Sequence, residues 1–491
     1  MHKIDENSTS ASHLGSWVKK ALCGGAVVSL AMTMGAQSAM AGAPVTKQGF
    51  KHFTPFSRVA MMPVVRGAKG QIDYEATYDK ANAAAVAVAH YLVENIESET
   101  LGADVIQGYD WKLGGESDEL PNTFGETNED FEIADTILRI PTPERINPNL
   151  PASKANTLKT NVIEFCNKKY ASMALGVAPI VDDNKVVNGY THAPALPCEV
   201  SIWNDDKHIY VDMLDPSAIF TLFFTDVLLS DDMNDRDFAD AITAMPPQVK
   251  SEIKAILYEV LSNFDPDLDT MDKAMGPRYT SMDQTLAAVD AAPEDSPFLH
   301  IAYTKTGGGT FTADDSIEVA QTIINTMSKE TGTPGIHPTV IDVDEDGNDV
   351  TLDSILSEKS SWRSGRLTPI TIPGKNHVIE ACSPKYAKMA MGTGAHHVTA
   401  LPCEITVQII DREGDGVKES LVISYLDPHF MLGALFADVE LTEDQQTEFT
   451  TAANNIKSDL QKVVAAALDV NSDLDLNYGV QISYDMLPQD D

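Results

Sequence analysis

The pentapeptide Ala-Leu-Pro-Cys-Glu stands twice in the chain, at 195–199 and again at 400–404. A string this particular, in a chain with only five cysteines, points to two segments with the same local structure, and a long repeat fixes the domain count. The likeness spreads outward from both copies. Upstream, "NVIEFCNKKYASMALG" (161–176) aligns with "HVIEACSPKYAKMAMG" (377–392). Downstream, "LDPSAIFTLFFTDVLLSDD" (214–232) aligns with "LDPHFMLGALFADVELTED" (426–444). The expected organisation is a lead-in over 42–71, a first module over 72–285, a linker over 286–297 and a second module over 298–491.

Each copy follows one order. A helix opens it, "YDKANAAAVAVAHYLVENI" in the first and "DDSIEVAQTIINTMS" in the second, with apolar residues at helical spacing. A strand then runs to a first cysteine, a helix follows, and the pentapeptide leads into a hairpin whose alternation and turn residues are those of paired strands. Asp215-Pro216 and Asp427-Pro428 each open a helix, Asp as N-cap and Pro in the first turn. Further helices are expected near 247–263 and 443–469. The fold class is α+β: two duplicated modules, each a small, mostly antiparallel sheet packed with helices, the two packing together as a pseudo-dimer.

The first 41 residues read as a secretory signal. Lys19 and Lys20 precede an apolar run of small residues, and Ala39-Met40-Ala41 gives the pattern signal peptidase accepts, with cleavage after Ala41. A periplasmic or extracellular protein without a stable membrane span after signal removal is expected. The formal charge is −38, which repels phosphate backbones and makes nucleic acid a poor partner.

A strand ending in Cys, a helix, then Leu-Pro-Cys and a hairpin ("EFCNKKYA" with "ALPCEVSIW", "EACSPKYA" with "ALPCEITVQ") resembles the family catalogued as domain of unknown function 302. The resemblance implies a compact α+β fold, carried in tandem by some members. It implies no reaction and no catalytic residues.

Past the signal, the cysteines are Cys166, Cys198, Cys382 and Cys403, two per copy at matching positions. Local pairing, Cys166 with Cys198 and Cys382 with Cys403, respects the repeat, and in an oxidising compartment a disulfide in each module is expected. Two other readings use the same residues. A thiol ahead of a helix, with Ser383 as a good N-cap in the second copy, has a lowered pKa and suits thiol-disulfide or sulfur chemistry. Alternatively, Met173, Met389, His192 and His397 lie near the cysteines in sequence, and Cys, Met and His together suit a soft metal such as copper, or haem, although no C-x-x-C-H occurs for covalent attachment. Tyr170 and Tyr386 share the helical face of the first cysteines and serve packing or a ligand. Glu199 and Glu404 read as solvent-facing strand residues.

Asp342, Asp344, Asp346 and Asn348 alternate around Gly347, as in a calcium loop, with Asp353 where the bidentate Glu would stand. The competing reading is an acidic Asp-Gly turn. No G-x-S-x-G, H-E-x-x-H or G-x-G-x-x-G occurs. The function expected is a non-enzymatic binding or interaction module, with ligand and partner unassigned.

Overall fold

The computed structural model describes residues 53–94, 111–113, 137–141, 159–175, 180–182, 185–187, 189–195, 198–224, 228, 235–280, 284, 297–330, 340–357, 363–370, 376–400, 403–410, 420–436, 441–470, 474–477 and 479–482. The expected signal over 1–41 lies outside the described residues, as does the expected linker over 286–297 except for Pro297.

The first half runs β1 (Phe56–Pro63), α1 (Tyr74–Glu94), β2 (Trp111–Leu113), β3 (Leu138–Pro141), β4 (Lys159–Asn167), α2 (Lys168–Ala174), β5 (Ile180–Asp182), β6 (Lys185–Val187), a 3-10 segment (Gly189–Ala195), β7 (Cys198–Asn204), β8 (His208–Leu214), α3 (Pro216–Leu222), α4 (Asp235–Phe264) and β9 (Asp269–Met275). The second half runs β10 (Phe298–Tyr303), α5 (Ala313–Glu330), β11 (Val340–Val343), β12 (Asp349–Thr351), α6 (Leu352–Ile355), β13 (Arg363–Ile370), β14 (Asn376–Cys382), α7 (Pro384–Thr393), a 3-10 segment (Ala395–Ala400), β15 (Cys403–Ile410), β16 (Ser420–Leu426), α8 (Pro428–Leu435), α9 (Glu443–Val470) and β17 (Val480–Ile482).

The architecture is α+β, with antiparallel pairing throughout both large sheets. The first sheet has the order β2-β4-β7-β8-β1-β9, with β3 also on β4, and the second has the order β13-β14-β15-β16-β10-β17. The registers correspond as well. Phe165 faces Cys198 in one sheet as Ala381 faces Cys403 in the other. Phe56 faces Leu214 as Phe298 faces Leu426. Even a strand-entry bond recurs: the amide of Asp215 donates to the Pro55 carbonyl at 2.7 Å, and that of Asp427 to the Pro297 carbonyl at 2.8 Å.

β1 corrects the expected boundary. Residues 56–63, left in the lead-in by sequence pattern, form a strand between β8 and β9 inside the first sheet. The Asp-Pro helix starts stand as expected: Asp215 accepts from the Ser217 amide and Asp427 from the His429 amide, which satisfies a backbone donor at each helix start. Ser383 occupies the N-cap of α7 but makes no side-chain capping bond.

Strand alternation gives each sheet two distinct faces. On one, Ile163, Val200, Ile202 and Val211 join the core under α1 and α4, and Ile379, Ile405, Val407 and Ile423 join the core under α5 and α9. Helix α1 supplies its side of that core through Tyr78, Ala81, Ala85, Val88 and Leu92, spaced three or four apart. The other face carries Glu164, Glu199, Ser201, Trp203 and Asp212 in the first sheet, and Glu380, Glu404, Thr406, Gln408 and Ser424 in the second, every one of them buried.

Elements of the opposite half cover this polar face. The 3-10 segment of the first half lies on β10, β15 and β16, and that of the second half lies on β4, β7 and β8. A buried hydrogen bond of 2.7 Å joins Ser201 to Thr399, and the Tyr279 hydroxyl donates to the Ala434 carbonyl at 2.6 Å. Among the described residues no helix is long and apolar enough to cross a membrane.

Candidate functional site

The two histidines singled out by sequence form part of this contact between halves. His192 is buried, stacked on Phe224 with ring centroids 4.3 Å apart and edge-on to Phe298 of the other half at 5.5 Å. His397 is buried against Phe436 at 4.3 Å and against Phe56 of the other half at 5.5 Å, while its Nδ1 lies 2.7 Å from the Thr393 hydroxyl. In the repeat alignment Phe224 corresponds to Phe436 and Phe298 to Phe56, so each histidine holds the same pair of partners. They serve as aromatic packing between halves.

The cysteines gather elsewhere. Cys382 closes β14 and Cys403 opens β15, one residue out of direct opposition, because Ala381 is the ladder partner of Cys403. Both are free thiols, and the expected bridge between them is not formed. Together they line a cavity of about 40 Å³ with Tyr386, Met389, Met431 and Phe436 among its walls. Sequence spacing thus brought Cys382, Cys403, Tyr386 and Met389 to one place, whereas His397 is not among the residues lining it. Met431 was missed. It lies in "PHFMLGAL", where an apolar helix reads as ordinary core.

In the first half, Cys198 opens β7 at the position equivalent to Cys403, and Cys166 stands in β4 one residue beyond the ladder partner of Cys198. Tyr170 is buried and donates to Glu252, which also accepts from the Trp111 indole at 2.9 Å. Met173 is half-buried against the core.

The electrostatics reverse the expectation of a low-pKa thiol. Burial pushes the Cys382 thiol up, and the neighbouring Cys403, Glu380 and Glu199 push it further. Burial, then Glu404 and Glu199, push Cys403 up to about 12. A helix start favours a thiolate, but a dry site among carboxylates penalises it more. Glu199 belongs to the first half and acts on both thiols of the second, so this site draws on both halves. Glu199 and Glu404 are therefore not solvent-facing. They are 4% and 5% exposed, paired across the ladders with the buried Glu164 and Glu380.

One consequence can be measured by alkylation. With a pKa of about 12, Cys403 of the native, reduced protein should react with iodoacetamide at pH 8 roughly 10³-fold more slowly than an exposed cysteine. Its rate should climb about tenfold per pH unit. A rate near that of a free thiol would show that the pair is not held protonated.

Residues 370–467 match the family model described as Domain of unknown function DUF302. The DUF302 stretch runs from the last residue of β13 into α9 and contains every residue that lines the thiol cavity. Strand β10 and helix α5, which complete the second sheet and its helical cover, precede it. No curated protein and no solved structure matches the chain.

Two further constellations invite a chemical reading. Ser57 Oγ lies 2.9 Å from Lys250 Nζ and 2.7 Å from Asp215 Oδ2. This resembles a nucleophile with its base, yet Ser57 is fully buried, and Lys250 donates to Asp215 at 2.8 Å and to Asp272 at 3.0 Å. Burial alone would lower the Lys250 ammonium, but the two carboxylates outweigh it and hold it above its ordinary value, so the lysine is a donor.

The acidic turn between β11 and β12 is the other. Asp344 Oδ1 accepts from the amides of Asp346 at 3.0 Å and Asn348 at 2.7 Å, and Gly347 supplies a φ of 83°. The side chains of Asp342 and Asp353 lie outside the described part of the chain. Among the described residues, no group of three or more His, Cys, Asp or Glu side chains is arranged to hold a metal ion.

Proposed function

We propose that the chain is an exported protein built from two duplicated modules of the DUF302 kind, packed face to face as a pseudo-dimer, and that it is a non-enzymatic binding module. The observation that carries the reading is the cavity above the Cys382 and Cys403 pair, walled by apolar side chains and influenced by a carboxylate of the opposite module. Duplication is supported by the matching strand orders and registers of the two sheets, and by the reciprocal seating of His192 and His397. The signal-like first 41 residues support export.

In this reading the cysteine pair of each module has two states. In the oxidising compartment, exchange with a donor disulfide joins the two sulfurs and releases the donor as a dithiol, closing the floor of the cavity. When reduced, the pair is open and faces the cavity. Nucleophilic thiol catalysis has less support, since burial and carboxylates keep the thiols protonated.

Intact mass of the protein purified from its export fraction tests this. The sample would be alkylated under denaturing conditions before and after reduction. The expected product starts after Ala41 and takes up alkyl groups on Cys382 and Cys403 only after reductant. Immediate alkylation of both would remove the bridged resting state, and an uncut N-terminus would remove the export reading.

A further inference from the structure

The cavity's sulfur content suggests a ligand class. Resting on the binding reading above and deepening it, we propose that the reduced cavity of the second half takes a soft monovalent cation of the copper(I) class, held by the sulfurs of Cys382, Cys403, Met389 and Met431. These four sulfur-bearing side chains line one cavity, and thiolate with thioether is the donor set that selects a soft d¹⁰ ion over harder, commoner metals. The cavity, about 40 Å³, has room for a metal ion or a few water molecules.

Charge also fits. One thiol releases its proton as the cation enters, so the apolar walls see no change in net charge. The carboxylates of Glu199, Glu380 and Glu404 stand close enough to act on the pair and favour a cation over an anion there. The two halves are not equal in this respect. Met173 corresponds to Met389, but Ile219 stands where the second half has Met431. The full sulfur set therefore belongs to the second half, and the tight stoichiometry should be one ion per chain.

The test uses the full chain, reduced and freed of reductant without oxygen, titrated with copper(I) in the presence of bicinchoninate as a coloured competitor. One equivalent of copper should be withdrawn from the competitor. Met431→Ile, which copies the first half, should weaken uptake by about tenfold or more, and Cys403→Ser by roughly 100-fold. Circular dichroism would confirm that both variants are folded, and Met431→Ile keeps the question decidable if the serine variant is not.

Labelling of the native, reduced chain with the small reagent methyl methanethiosulfonate, prolonged and at alkaline pH so that the roughly 10³-fold slower reaction of a protonated thiol does not hide access, separates the ways the idea can fail. If Cys382 and Cys403 are labelled yet no copper is withdrawn, the cavity is open but is not a soft-metal site, and only this inference falls. If neither labelling nor copper uptake occurs, the cavity is closed to ligands and the binding reading falls with it. Uptake unchanged by either substitution would place the copper elsewhere and also overturn the inference.

Discussion

Phe56→Ala is expected to destabilise the chain by about 3–5 kcal/mol, the cost of removing a fully buried phenyl ring from a packed interior. The effect should cross between halves. The ring stands edge-on to His396 at 5.1 Å and against His397 at 5.5 Å, both in the 3-10 segment of the second half. Urea unfolding would give the size of the loss. Amide exchange at residues 395–400 would show where it is felt, because those amides lie in the other half. If exchange there stayed at its original rate while the first half was weakened, the two halves would be stable independently and the aromatic contact would be incidental.

A loss of similar size is expected for Asp212→Ala, for a different reason. Asp212 is fully buried, accepts two bonds from Arg58 at 2.8 and 3.0 Å, and accepts a third from the Trp203 indole at 2.7 Å. Arg58 lies over the Tyr210 ring, 3.8 Å from its centroid. Removing the carboxylate leaves a guanidinium with little access to water, which costs about 3–5 kcal/mol. At the corresponding ladder position the second sheet pairs His300 with Ser424 through a 2.7 Å hydrogen bond. The double variant Arg58→His with Asp212→Ser installs that pair and should recover much of the stability in urea unfolding. If it is no more stable than Asp212→Ala, the two faces are not interchangeable, and the ion pair is specified by its Trp203 and Tyr210 neighbours.

The parts of the fold legible in sequence were those set by local chemistry. The repeated pentapeptide located β7 and β15, and Asp215-Pro216 and Asp427-Pro428 located two helix starts by their capping chemistry. Local rules failed where the opposite half decides. Alternation shows that Glu199 and Ser201 share a face of β7, but not that a segment 198 residues along the chain covers that face, so local pattern alone predicts an exposed Glu199. The helix-start rule gave the wrong direction for Cys382 because burial and Glu199 act through space. Strand β1 was missed for a related reason: its partners, β8 and β9, are distant in sequence. Its available signal was the recurrence of Pro-Phe at 55–56 and 297–298, two residues too short to stand out in an alignment.

Four buried glutamates between the two sheets would be a poor way to hold separate subunits together, since desolvating them opposes association. Here both sheets belong to one polypeptide, and a covalent tether of modest length keeps its ends at an effective concentration on the order of millimolar. A contact too weak to assemble two dilute chains is sufficient under that constraint. The tether therefore relieves the contact surface of supplying affinity, so matching positions of the two halves can carry different chemistry, as Arg58 and His300, or Ile219 and Met431, do.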